Sequence, residues 1–197
     1  MKTMMLVILS SIFLNGCLTT SFNPLFKKSD LVTKEELVGK WIGKNTLLTF
    51  EKQNESSYLL NYKSCEDPYN APNDYSSCTV ADFTAYLMKL GDDYFLDFLP
   101  KAYLSTENVF LKLHIRATHS FAKVVIEKET LKVFFIDYEW VADYIEKNEG
   151  ALDYIKSDDL VTLTATTEEL QEFVLKHQEE PGFFINPIIL KRKIMKG

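Results

Sequence analysis

The chain has 197 residues, a hydrophobic fraction of 46% and a formal net charge of −6. Length and apolar content suit one domain with a substantial core and exclude disorder for the body of the chain. The acidic balance makes nucleic acid an unfavourable partner and supplies no electrostatic pull toward anionic lipid.

Lys2 gives a positive start, and Met4–Leu14 is almost wholly apolar. A run of about eleven residues is the size of a signal-peptide core, since a bilayer span needs ~20. It ends in Leu14-Asn15-Gly16-Cys17. These residues resemble the bacterial lipobox. The resemblance implies a signal peptide over 1–16, a diacylglycerol thioether on Cys17, and an acylated new N-terminus carrying a chain such as palmitate. Each buried methylene contributes ~0.8 kcal/mol, so two or three acyl chains anchor the protein without spanning the membrane. Leu18 stands where lipoproteins retained at the inner membrane carry Asp, so the resemblance implies the outer membrane, facing the periplasm. The alternative is an ordinary signal with Cys17 incidental. Residues 17–32 then read as a lipidated tether reaching on the order of 20 Å, with Phe22, Leu25 and Phe26 able to dock. Residues 33–197 read as a single domain.

Thr33-Lys34-Glu35-Glu36 has the form of a capping box and predicts a short helix ending at Gly39. Gly39-Lys40-Trp41 follows, and the pattern then turns to period two. Strands are predicted over Trp41–Lys52, Ser57–Ser64, Thr79–Leu90, Tyr94–Leu99, Val109–Arg116, His119–Glu127 and Leu131–Ile136. Cys65 and Cys78 remain once Cys17 is assigned to lipid. An even pair in an oxidising compartment reads as one structural disulfide, closing a turn-rich loop at a gain of ~3 kcal/mol. A metal or redox pair is the alternative, although metal pairs sit ~2–4 residues apart with further ligands nearby. Tyr138–Asn148 has Val141, Tyr144 and Ile145 at helical spacing. A second capping box, Thr166-Thr167-Glu168-Glu169, starts a helix that turns Leu170, Phe173 and Val174 inward. Leu160–Ala165 lies between the helices as a strand, and Asn186–Ile194 is the last.

About eight or nine consecutive strands with short connections imply a mainly β (α+β) fold with antiparallel pairing, and closure into a barrel removes the sheet edges. The short helix followed by Gly39-Lys40-Trp41 resembles the Gly-x-Trp opening of lipocalins and other calycins. The resemblance implies a calycin-like β-barrel in which Trp41 closes one end under a late basic residue, here Arg192. Two helices before the last strand depart from the lipocalin order. An open α+β sheet with Trp41 as ordinary core is the alternative. The body of the chain is also similar to bacterial lipoproteins that bring no activity with them.

For chemistry, neither a nucleophile elbow nor a Gly-rich phosphate loop is present. His114 and His119 form the one close histidine pair. They act together only if a hairpin loop joins them; otherwise His114 shares a solvated face with Lys112 and Arg116. Asp93, Phe95 and Asp97 read as an outer solvated face, as do Glu139, Asp143 and Glu146 on the helix. There are fourteen Phe and ten Tyr. Tyr58, Tyr62, Phe83, Tyr94 and Phe98 are expected inward, either filling the barrel or lining an apolar site. The leading expectation is a membrane-anchored, non-catalytic binding domain for an apolar or amphipathic ligand, with no cofactor and no metal. The alternative is an envelope protein-interaction module with a packed core. An enzyme using His114 and His119 is a third reading.

Overall fold

A computed structural model describes residues 18–64, 78–101, 109–157 and 160–193. In chain order the elements are β1 (Thr20–Ser21), β2 (Gly39–Ile42), β3 (Thr46–Lys52), β4 (Tyr58–Ser64), β5 (Thr79–Leu90), β6 (Asp93–Pro100) and α1 (Val109–His114). Then follow β7 (His119–Ile126), β8 (Thr130–Phe135), α2 (Tyr138–Lys147), β9 (Tyr154–Ser157), β10 (Leu160–Leu163), α3 (Thr167–His177) and β11 (Ile188–Arg192). Eight strands close in the order β2-β3-β4-β5-β6-β7-β8-β11, and every pair in the ring is antiparallel. The expected mainly β barrel, with two helices before the last strand, is the fold. β1, β10 and β9 leave the ring as a flange: β1 pairs antiparallel with the first residues of β7 and parallel with β10, which pairs antiparallel with β9.

Period-two alternation sorts the side chains into two cores. Inside the barrel lie Trp41, Phe50, Tyr58, Leu60, Ala85, Leu87, Leu96 and Leu131. Outside it, Met88, Leu90, Phe95 and Phe121 from β5, β6 and β7 pack against Val141 and Ile145 of α2 and Leu170, Phe173 and Val174 of α3. The apolar stripes of the two helices are those expected from their spacing. Strand β6 is therefore covered on both faces, and Phe95, Leu96, Asp97 and Phe98 are buried in succession. This corrects the reading of Asp93, Phe95 and Asp97 as a solvated face. Alternation shows which way a side chain points but not whether a second layer lies over it. Of the three, Asp93 alone stays partly exposed, and it pairs with Lys123 at 2.7 Å.

Helix α3 begins as its capping box predicts. The Glu169 amide donates to Thr166 Oγ1 at 3.3 Å, and the Thr166 amide donates to the Glu169 carboxylate at 2.8 Å. Thr166→Ala is expected to lower stability by ~1 kcal/mol, read as a shifted urea midpoint at unchanged slope.

Four further expectations are corrected. Trp41–Lys52 is not one strand: the Gly43 amide donates to the Thr46 carbonyl at 2.8 Å and turns the chain between β2 and β3. Thr33 does not cap a helix; the turn at Glu35–Leu37 is 3-10, with Lys34 at its N-cap and no side-chain cap bond. Val109–His114 is helical, because β6 and β7 pair directly and leave no place in the ring for another strand. Leu18–Val32 is packed on the domain: β1 joins the sheet, Leu25 is fully buried, and the Val32 amide donates to the Leu87 carbonyl at 2.9 Å.

The expected Cys65–Cys78 disulfide is also corrected: no such bridge is found among the described residues. Cys78 is the one cysteine among the described residues, so no Sγ–Sγ contact occurs among them. Cys78 is disulfide-bonded, and Cys65 lies outside the described residues. Cys17 lies outside them as well.

Candidate functional site

Among the described residues the two ends of the barrel differ. One is plugged. Trp41, fully buried, donates its indole N–H to the Leu37 carbonyl at 2.8 Å, and the Arg192 guanidinium lies 4.1 Å from the centre of its ring. Arg192 also donates to the carbonyls of Val38 (2.9 Å), Lys128 (3.1 Å) and Glu36. Gly39 has φ +125°, and a Cβ there would stand 3.0 Å from Arg192 Nη1, so this position needs glycine.

The five aromatics expected inward do face inward, but they belong to different ends. Tyr58 and Tyr94 lie under the plug. The Tyr58 hydroxyl accepts from the Lys34 amide (2.6 Å) and donates to its carbonyl (3.2 Å), while Lys34 Nζ lies 4.3 Å from the Tyr94 ring centre. Burial holds the Tyr58 hydroxyl above its ordinary pKa. With its hydroxyl satisfied by backbone and its ring fully buried, Tyr58 is core and unavailable to a ligand. Phe83 and Phe98 lie toward the opposite end, and Phe135, the last residue of β8, joins them. Phe83 meets Phe98 edge-on at 6.5 Å, and Phe98 meets Phe135 at 5.9 Å. Tyr62, two residues from the end of β4, is partly buried beside this group. Together they form an apolar aromatic group at this end of the barrel. Phe135 was legible in the Leu131, Val133, Phe135 alternation but was not singled out as a site residue.

Two recesses among the described residues lie outside the barrel, against α2. One, of about 240 Å³, is bounded by Tyr138, Ala142, Ile145 and Glu146 of the helix and by Tyr154, Lys156 and Val161 of the flange. The other, wider and more open, includes Asp137, Glu139, Trp140, Asp143 and Gly182. The acidic face of α2 is thus its wet side, and Asp143 pairs there with Lys147 at 3.2 Å.

The histidines are separated by environment. His114 is exposed on α1, with its Nδ1 2.7 Å from the Phe110 carbonyl. His119 is buried on β7, and its Nδ1 lies 2.6 Å from Asp97 Oδ1. Asp97 is fully buried, and its Oδ2 accepts from the Leu25 amide at 2.8 Å. Burial pushes the Asp97 carboxyl above its ordinary value, against the opposing pull of His119 and the Leu25 amide. Ser21 stands opposite His119 in the β1–β7 register, which suggests a Ser-His-Asp constellation. However, Ser21 is fully buried and its Oγ accepts from the Asn23 amide at 3.1 Å. Asp97, held by His119, clamps the N-terminal segment onto β6 through the Leu25 amide, and β1 pairs with β7 beside it. The Asp97–His119 partnership was not readable from a spacing of twenty-two residues. Among the described residues no group of three or more His, Cys, Asp or Glu could hold a metal ion.

No family model matches this chain, and neither does any curated protein or solved structure.

Proposed function

We propose that the chain is a lipid-anchored, periplasm-facing barrel that binds an apolar or amphipathic ligand at its mouth, without catalysis. The observation that carries this reading is the asymmetry of the ends among the described residues: one sealed by Trp41, Leu37 and Arg192, the other lined by the partly buried Tyr62, Phe83 and Phe135 around Phe98. Small-molecule sites are concave and mostly apolar, and they occur in the mouths of barrels. The packed middle of the barrel leaves room for a ligand only at this end, where an acyl chain or ring would enter partway. Calycin-like chemistry fits the closed antiparallel ring. The anchor is a lipid on Cys17. Leu18 is already bridged to Asp137 at the start of α2, so a lipid on the preceding residue would hold the domain close to the membrane.

Titration with an apolar fluorescent dye tests the mouth. Saturable binding is expected, weakened at least about tenfold by Phe83→Ala combined with Phe135→Ala, since each lost ring removes more than ~1.4 kcal/mol of contact. Ile189→Ala, on an exposed apolar residue of β11, should leave it unchanged. Absence of a saturable site overturns the reading. Cys17→Ala is expected to release the protein from the membrane fraction, and retention there would remove the anchor from the proposal. The packed interior favours a second reading, an envelope protein-interaction module, which gains if the dye finds no site.

A further inference from the structure

Closure of the barrel removes every edge from its eight strands, and among the described residues the eleven-stranded sheet ends at β9. All four residues of β9 are exposed. An uncovered edge is a template for another strand, and proteins weaken such edges with proline, bulges, charged side chains or a short strand. Tyr154-Ile155-Lys156-Ser157 is short and carries one lysine, which weakens the template, but it has no proline, and its outward groups are free to pair.

The free backbone groups of this edge can be assigned. The Thr164 amide donates to the Asp153 carbonyl at 2.8 Å. Hydrogen-bonded pairs alternate along an antiparallel ladder, so Ile155–Thr162 and Ser157–Leu160 are the next two bonded pairs in this register. Tyr154 and Lys156, between them, turn their N–H and C=O groups outward. Their side chains share one face and line the recess beside α2. Ile155, 53% exposed, points to the other face, as does Leu160, 55% exposed.

We propose that β9 is a self-association edge on which a second copy of this chain pairs antiparallel about Ile155. This register places Tyr154 of each copy opposite Lys156 of the other. The four outward N–H and C=O groups of one strand then meet the four of its twin, giving four backbone hydrogen bonds. It sets Ile155 against Ile155 in a non-hydrogen-bonded pair, where side chains come closest. Each lysine ammonium lies beside a tyrosine ring instead of another ammonium, a favourable cross-strand arrangement. The neighbouring register, with Lys156 opposite Lys156, opposes like charges. A four-residue edge with a small apolar patch suits a weak, concentration-dependent dimer.

Sedimentation equilibrium of the purified chain from about 5 to about 500 µM tests this. A monomer–dimer equilibrium is expected, and two variants should each raise its dissociation constant at least about tenfold. Lys156→Pro deletes an outward N–H that the β9–β10 ladder does not use. Ile155→Asp opposes two carboxylates. Far-UV circular dichroism separates lost pairing from lost folding. Under mild oxidation Ile155→Cys should give a disulfide-linked dimer, with the 155–155 peptide identified by mass. Ser157→Cys should not, since the register sets residue 157 opposite 153. A chain that stays monomeric throughout, a dimer indifferent to both edge variants, or equal crosslinking at 155 and 157 overturns the proposal. The monomeric result would leave the edge to a strand from a different protein.

Discussion

Asp97→Ala is expected to destabilise the fold by ~3–5 kcal/mol, the cost of breaking a buried polar pair by removing one partner. The carboxylate accepts from the Leu25 amide at 2.8 Å and bonds His119 Nδ1 at 2.6 Å. Without it, both groups are left in an interior where an unpaired donor costs ~1–3 kcal/mol. Guanidinium unfolding at neutral pH measures the loss, and a cost below ~1 kcal/mol would show that the fold does not depend on the clamp. Asp97→Asn separates charge from shape. Burial raises the folded-state pKa of Asp97 above its ordinary value of 3.8, so the folded chain holds this proton more tightly than the unfolded one. Stability from this group is therefore fully present below that ordinary value and is lost as pH rises through the folded value. The amide introduced by Asp97→Asn does not titrate. The advantage of the native chain over Asp97→Asn should thus shrink from about pH 3.5 upward and then level off, by ~1.4 kcal/mol for each unit the carboxyl is raised. An advantage that grows with pH would mean that the His119 and Leu25 contacts outweigh burial.

The same pair shows where sequence reading stops. Period two placed Tyr94, Leu96 and Phe98 inward correctly, because the strand itself enforces alternation. The outward residues Phe95 and Asp97 depend on what arrives from elsewhere: α2, α3 and the Leu25 segment, all distant in sequence and brought over β6 only by folding. Local rules also read α3, whose capping box is satisfied within four residues. They misread Val109–His114, whose alternation suits a strand but whose place between two directly paired strands does not. Of the candidate site, Phe83, Phe98 and Tyr62 were legible as inward. Their separation from Tyr58 and Tyr94 was not, because the plug is formed by Lys34 and Leu37 crossing the barrel end. β9 was missed altogether. Four exposed residues that pair with one neighbour and pack on one side carry little hydrophobic signal.

Trp41→Ala is expected to cost ~3–5 kcal/mol, as for other large aromatic truncations in a core. The indole fills the plugged end, donates to Leu37, and supports the Arg192 guanidinium above it. Arg192 in turn joins three chain segments through the carbonyls of Glu36, Val38 and Lys128. If the two residues act as one closure, their effects are not additive. A double-mutant cycle with Trp41→Ala and Arg192→Ala should return a coupling of ~1–2 kcal/mol, the range for a partly desolvated cation over an indole. Trp41→Phe keeps a ring beneath the guanidinium but loses the bond to Leu37, and should retain most of that coupling. Additive single effects would mean that Arg192 acts only through its carbonyl contacts. The dye titration of the mouth then becomes informative a second time. An end cap that is purely structural leaves affinity at the mouth unchanged in Arg192→Ala, whereas a ligand reaching the plug would sense its removal.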